Sequence, residues 1–232
     1  MHFPTEQVLS IWTSRYIPIV NHEVEMFKSQ SLDGFLTELS SRNPTPGGGT
    51  AAGLAAAMGA ALVEMVANVV GARDEAEKSR LAPFVESCEA SRAEFAAMMD
   101  QDSAAFEGYM TAVRYPKTTD DEKLVRRAAM QDALKGSTRV PLALAVQVCD
   151  FAELLVATFC DAPKDIASDL YVGAAMLEAA YAGAVANVYV NLAYLRDPVF
   201  KDETRVTVQQ CQTRVAVLGS FKDSIGRLLA IA

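Results

Sequence analysis

No segment of this chain alternates apolar and polar residues long enough to pleat as a strand; between turn signals the apolar residues recur with helical spacing. That property leaves an all-α fold, in which long helices hide apolar stripes against one another. The predicted series begins with a helix within Glu6 to Lys28. A short amphipathic one follows at Ser31 to Ser40, with Leu32, Phe35, Leu36 and Leu39 on one side. Asn43-Pro44-Thr45-Pro46-Gly47-Gly48-Gly49 breaks the pattern, and Thr50 to Val70 resumes it with small and apolar residues. Later helices are expected near Ala76 to Tyr115, Thr119 to Gly136, Pro141 to Thr158, Ile166 to Leu195 and Lys201 to Ile231, with Asp197-Pro198 separating the last two. No repeat or composition shift divides the chain. The expected organisation is a single-domain helical bundle over 31–232 with an N-terminal helical extension over 1–30.

Of the 232 residues, 51% are hydrophobic and 22% charged, which implies unusually much apolar surface to hide and favours a homodimer packed helix on helix. A net charge of -8 argues against attraction to nucleic acid or an acidic membrane surface. Met1 to Gln30 mixes Glu6, Arg15, Glu23, Glu25 and Lys28 into its apolar residues, unlike a secretory signal. The run Ala51 to Val70 contains Glu64 and Asn68. A mid-helix carboxylate disfavours membrane insertion by roughly 2.5–3.5 kcal/mol, so this run reads as a buried helix. Cys88, Cys149, Cys160 and Cys211 lack zinc-site spacing and disulfide density, and are expected as reduced, packed thiols of a cytoplasmic protein.

Several constellations could carry chemistry. The triplet Gly47-Gly48-Gly49 ahead of a helix suits either an anion cradle or close backbone packing. Gly49, Gly53, Ala57, Ala60 and Ala61 then form a small-residue side, read as a seam to another helix or subunit. Glu64 and Asn68, one turn apart, end it as a hydrogen-bonded pair or a site wall. Asp100 and Asp102 lie on different faces of an otherwise apolar helix. Asp102 shares its side with Met98, Met99 and Phe106, which makes it the candidate for a partly buried acid with a shifted pKa. Arg114, Lys117, Lys123, Arg126 and Arg127 form the most basic stretch, either a receptor for an acidic ligand or a solvated face. Ser168 can cap a helix N-terminus that Asp169 complements electrostatically. Asn187, Asn191 and Asp169 share one face of that helix, but Asp169 and Asn187 are about 27 Å apart at ~1.5 Å per residue. They therefore occupy opposite ends of a cleft, or a second subunit completes each half.

Taken in order, these phrases resemble the formiminotetrahydrofolate cyclodeaminase / methenyltetrahydrofolate cyclohydrolase family. The match runs through Pro44-Thr45-Pro46-Gly47-Gly48-Gly49, Asp102 to Phe106, Tyr115-Pro116-Lys117, Gln131-Asp132-Ala133-Leu134, Val140-Pro141-Leu142, Ser168-Asp169 and Asn187-Val188-Tyr189-Val190-Asn191. The resemblance implies an all-α homodimer whose subunit boundary borders the cleft, a tetrahydrofolate derivative as substrate, and neither metal nor cofactor. It implies proton transfer by Asp102 and Asp169, with substrate held by Pro46, Gly47, Gly48, Gly49, Lys117, Arg126, Ser168, Asn187 and Asn191, the basic residues taking the folate's glutamate tail. Two stretches depart from the family pattern, Gly71-Ala72-Arg73-Asp74-Glu75 and Pro163-Lys164-Asp165. The expected activity is hydrolysis of 5,10-methenyltetrahydrofolate, since the chain has no room for a separate formiminotransferase domain. Ring closure of formiminotetrahydrofolate with loss of ammonia and a non-catalytic folate-binding dimer are the alternatives.

Overall fold

The structure, a computed structural model, describes residues 26–230. The helix expected within Glu6 to Lys28 lies outside the described residues apart from its end, where Phe27–Ser29 form a 3-10 turn. Six α-helices follow: α1 Leu32–Leu39, α2 Gly48–Gly71, α3 Glu75–Val113, α4 Asp120–Thr158, α5 Ala167–Tyr194 and α6 Pro198–Leu229. No strand occurs among the described residues.

Local chemistry sets the helix starts. The Ser31 hydroxyl accepts from Gly34 N, Asp74 accepts from the backbone of Ala76 and Glu77, and Asp197 accepts from Phe200 N with Pro198 as the first residue of α6. Thr119 and Glu122 cap α4 reciprocally. The two helices expected over Thr119 to Gly136 and Pro141 to Thr158 are instead one. Proline lacks the N–H that would reach back to residue 137. The helix continues because Asn191 Nδ2 of α5 donates to that orphaned Ser137 carbonyl at 2.8 Å. Ser168 is not the cap expected of it, because the 3-10 turn Lys164–Ile166 runs directly into α5 and places Ser168 inside the first turn.

α2 lies antiparallel between α3 and α5. A Cβ on Gly53 would sit 3.2 Å from both Met99 Cγ and Phe95 O of α3, and one on Gly59 would sit 3.1 Å from Gly173 O of α5. The small residues therefore let helices of the same chain approach, and do not form the exposed subunit seam considered from sequence. Ala57 and Ala60 are buried, while the opposite side of α2 shows Met58, Met65 and Val69 to solvent. Glu64 pairs with Arg92 of α3 at 2.7 Å rather than with Asn68. Although α2 and α4 are long and apolar enough to cross a membrane, both pack within the bundle.

Phe84, Phe95, Phe151 and Phe159 tie α3 to α4 and the segment after it, with ring centroids 5.5–6.4 Å apart. Such pairs add about 0.5–1.5 kcal/mol each beyond their buried area. Cys88, Cys149 and Cys211 are buried, and burial pushes the thiols of Cys88 and Cys149 up to about 12. Cys160 departs from the expectation of four packed thiols: it is exposed at the end of α4.

Candidate active site

The antiparallel arrangement brings the start of α2, the second half of α3, the middle of α4 and the end of α5 to one end of the bundle. They enclose a cleft of about 210 Å³ lined by Pro44, Thr45, Gly47, Gly48, Gly49, Asp102, Phe106, Tyr109, Met110, Val113, Leu134, Ser137, Asn187, Val190, Asn191 and Tyr194. The Thr45–Pro46 peptide is cis, and Pro46 itself is buried and does not line the cleft.

Asp102 points inward as its spacing predicts, whereas Asp100 turns away and accepts from Phe27 N at 2.7 Å. Gly49 makes room for the Asp102 carboxylate: a Cβ there would lie 2.6 Å from the Asp102 Cγ and closer still to one oxygen. Thr50 donates its hydroxyl to Asp102 Oδ2 at 3.0 Å, and the same hydroxyl oxygen accepts from Gly47 N at 3.3 Å. The glycine-rich helix start does hold an anion, but the anion is the protein's own carboxylate. Burial raises the Asp102 pKa above the ordinary carboxylate value, partly opposed by the hydrogen bonds from Thr50. The acid is thus recessed, fixed and biased toward holding a proton.

Opposite it stand polar groups that each commit one donor to a backbone carbonyl. Asn187 Nδ2 donates to Gly183 O and Asn191 Nδ2 to Ser137 O, each at 2.8 Å, while the Ser137 hydroxyl donates to Ala105 O at 3.0 Å. Among the described residues, Asp102 is the one charged side chain in the lining.

The other predicted site residues separate. Arg126 is set back from the lining: its Nε donates to Val113 O at 2.9 Å, at the cleft rim where α3 ends. Lys117 is exposed on the loop between α3 and α4 and does not line the cleft. Ser168 and Asp169 lie at the other end of α5, about 27 Å from Asn187 by helix rise, so one chain does not bring Asp169 to Asp102. The two departing stretches meet at that far end, where Arg73 pairs with Asp165 at 2.5 Å, and they do not touch the cleft.

Sequence reasoning missed Tyr109, Tyr194 and Ser137, and gave Gln131 no role beyond its place in a family phrase. Tyr109 lies seven residues after Asp102, a spacing that returns to the same helix side. Ser137 is marked by Pro141 four residues later. Gln131 closes the end of α5, donating to Tyr194 O at 3.1 Å and accepting from Arg196 N at 2.7 Å, and no local pattern announces that role.

Fold and cleft together define a class: a long-helix bundle with a small cavity built around one recessed acid. The family model described as formiminotransferase-cyclodeaminase matches residues 31–210, and the chain belongs to that family. It is 40% identical over 208 residues to methenyltetrahydrofolate cyclohydrolase of Methylorubrum extorquens, a match covering 86% of this chain and 96% of that protein. To formimidoyltransferase-cyclodeaminase of Gallus gallus it is 36% identical over 203 residues, or 87% of this chain but 37% of that longer protein. The solved structure of formiminotetrahydrofolate cyclodeaminase from Thermotoga maritima superposes with a TM-score of 0.73 at 26% identity, covering 88% of this chain and 97% of that one.

Proposed function

We propose that this chain is a one-carbon folate enzyme that hydrolyses 5,10-methenyltetrahydrofolate to 10-formyltetrahydrofolate. The observation that carries the reading is the lone recessed carboxylate in a cleft without a lining cation. The methenyl bridge between N5 and N10 is positively charged, and such a cavity favours it. At about 210 Å³ the cleft is smaller than a site for a whole drug-sized ligand and suits the reduced bicyclic head, leaving the aminobenzoyl-glutamate outside.

Water adds to the methenyl carbon while Asp102 takes one of its protons. Asp102 then gives that proton to N5 as the C–N5 bond breaks, and the added hydroxyl loses its proton to solvent as the formyl C=O forms on N10. One water is consumed and one proton released, with Asp102 regenerated as a carboxylate. The likeness to the Methylorubrum extorquens cyclohydrolase along nearly its whole length favours this direction.

Cyclodeamination is the second reading, favoured by the likeness to the Thermotoga maritima cyclodeaminase. There N10 would attack the formimino carbon, its proton would pass to the formimino nitrogen, and protonated Asp102 would supply the second proton on which ammonia leaves. The enzyme works as a cytoplasmic homodimer in this proposal, pairing through the outward side of α2, where Met58, Met65 and Val69 lack a partner. Lys117 and Ser168 would reach substrate only by loop movement or through a second copy.

The deciding experiment follows the methenyl absorbance, and ammonia release from formiminotetrahydrofolate, with purified protein. Faster loss of the methenyl band than in buffer supports hydrolysis. Ammonia release alone replaces it with cyclodeamination, and turnover of neither rejects both. Sedimentation showing only a folded monomer at micromolar concentration rejects the dimer.

A further inference from the structure

α3 and α5 each pack against α2 and α4 but scarcely against each other, which leaves a gap between them along the cleft. At the outer end of that gap Tyr109 stands on the α3 side and Tyr194, the last residue of α5, on the other, and both pack on the cluster that contains Leu134 of α4. The two tyrosines are half-buried, yet neither ring pairs with another ring or with a cation among the described residues. They forgo the ring-on-ring attraction that buried aromatic groups otherwise find. Their hydroxyls also lack a hydrogen-bond partner among the described residues. Burial raises the Tyr109 pKa, Arg126 opposes that and Tyr194 adds to it, so the three groups stand together near the end of α3 and the phenol keeps its proton. Along α3, Tyr109 lies about 10 Å past Asp102 at ~1.5 Å per residue, on the same helix side.

We propose that Tyr109 and Tyr194, with Leu134 as the floor, form a slot for the aryl ring carried on N10 of the substrate, and that this slot makes the site select N-aryl one-carbon carriers. The inference rests on the folate reading, and it holds for either reaction, because the aminobenzoyl ring sits on N10 in both substrates. With the reacting carbon at Asp102, that ring begins at the neighbouring nitrogen and leaves the cavity between the two tyrosines. A flat ring there gains an aromatic partner on each side and takes both phenol rings out of water. The two hydroxyls and Arg126 meet its far edge, where the acyl group and the acidic tail emerge.

The test replaces each ring by leucine, which keeps an apolar side chain on Leu134, and by phenylalanine, which keeps the ring. Tyr109→Leu and Tyr194→Leu should each raise KM for methenyltetrahydrofolate about three- to tenfold, with kcat within about twofold of wild type, as when one stacked ring is lost from substrate and transition state alike. Tyr109→Phe and Tyr194→Phe should stay within about twofold of wild type in KM. The slot is also read without turnover, by calorimetry with a fragment: p-aminobenzoylglutamate should bind wild type at least about fivefold more tightly than its saturated cyclohexyl analogue. The leucine variants should lose that preference and the phenylalanine variants keep it. A merely structural role would lower the denaturation midpoint and leave the preference between the two fragments where it was. Leucine variants with the wild-type KM, phenylalanine variants as impaired as the leucine ones, or equal affinity of wild type for the two fragments overturns the proposal. If wild type neither binds nor turns over any tetrahydrofolate, the folate reading falls and the slot with it, whereas turnover by wild type without an aryl preference removes the slot alone.

Discussion

The two ends of α5 each set polar side chains beside a carboxylate, Asp102 of α3 at one and its own Asp169 at the other, and the bundle treats them oppositely. At the C-terminal end Asn187 and Asn191 face the start of α2 and the Asp102 carboxylate inside a cleft. At the N-terminal end Ser168 is exposed, Asp169 is half-buried, and the nearby Arg73–Asp165 pair sits in solvent. What separates them is backbone clearance. Asp102 can be recessed because the residue opposite it is glycine, so two helices close over a carboxylate rather than over a side chain. Burial then raises its pKa. A motif becomes chemical here through what its neighbour lacks.

The sharpest way to break that comparison is Asp102→Asn. The amide keeps the volume and cannot take a proton, so kcat should fall by roughly 10²–10⁴. Its effect on stability has the opposite sign. A folded-state pKa raised above the unfolded one stabilises the fold below the unfolded pKa, and that stabilisation is lost as pH rises through the folded pKa. Above that folded pKa wild type carries a desolvated carboxylate that Asp102→Asn does not, and there the variant's denaturation midpoint should be no lower. For the hydrolytic step, kcat/KM should rise with pH through an apparent pKa above the ordinary carboxylate value, moving further up in Thr50→Val, which loses the hydroxyl donor. A variant that turns over normally, or a pH profile that ignores Thr50, removes Asp102 as the base.

Gly49→Ala tests clearance itself. The added Cβ must displace the carboxylate, so turnover should fall about tenfold or more with a stability loss of about 1–3 kcal/mol. Gly136→Ala, where an added Cβ meets nothing within 4 Å, should instead gain about 0.5–1 kcal/mol and keep its rate. Equal behaviour of the two variants would mean that clearance at Gly49 does not position the acid.

The helical architecture was legible because apolar spacing is a local property: α1, α2, α3 and α5 fall within a few residues of their expected bounds. The inward turn of Asp102 and the outward turn of Asp100 followed from the same spacing. Less legible was anything that depends on a partner helix. Proline reads locally as a stop, and only α5, supplying Asn191 to Ser137, lets α4 run through Pro141. The small-residue side of α2 announces close approach but not to what. The glycine triplet suits an anion or close packing without saying whose, and the spacing of Glu64 to Asn68 says nothing of Arg92 on another helix.

A smaller effect separates rim from cleft. Arg126 is anchored on the Val113 carbonyl beside the lining, whereas Lys117 is exposed away from it. If the acidic tail of the substrate leaves past this rim, Arg126→Ala should raise KM by about three- to tenfold with kcat little changed, in line with one charge-assisted contact. Added salt should mimic that loss, and Lys117→Ala should do less. A fall in kcat at constant KM would move Arg126 into the reacting centre.

The smallest expected change belongs to Asp169→Asn, and it bears most directly on the two ends of α5. Within one chain Asp169 is about a helix-length of 27 Å from Asn187, too far to touch the reacting carbon. Asparagine also remains a tolerated first-turn residue, so kcat should stay within about threefold of wild type and stability should shift by no more than about 0.5–1 kcal/mol. A loss of turnover matching that of Asp102→Asn, with an unchanged denaturation midpoint, would show the two carboxylates acting on one substrate. Only a second copy could then bring Asp169 to the cleft. Mixing unfolded Asp102→Asn and Asp169→Asn chains and refolding them together separates the cases: a dimer that shares its sites recovers up to about half the wild-type number of intact clefts per hybrid, because one cleft draws both aspartates from unmutated positions. Recovery would join the two ends of α5 across the subunit boundary, and no recovery from two inactive variants would confine each defect to its own chain.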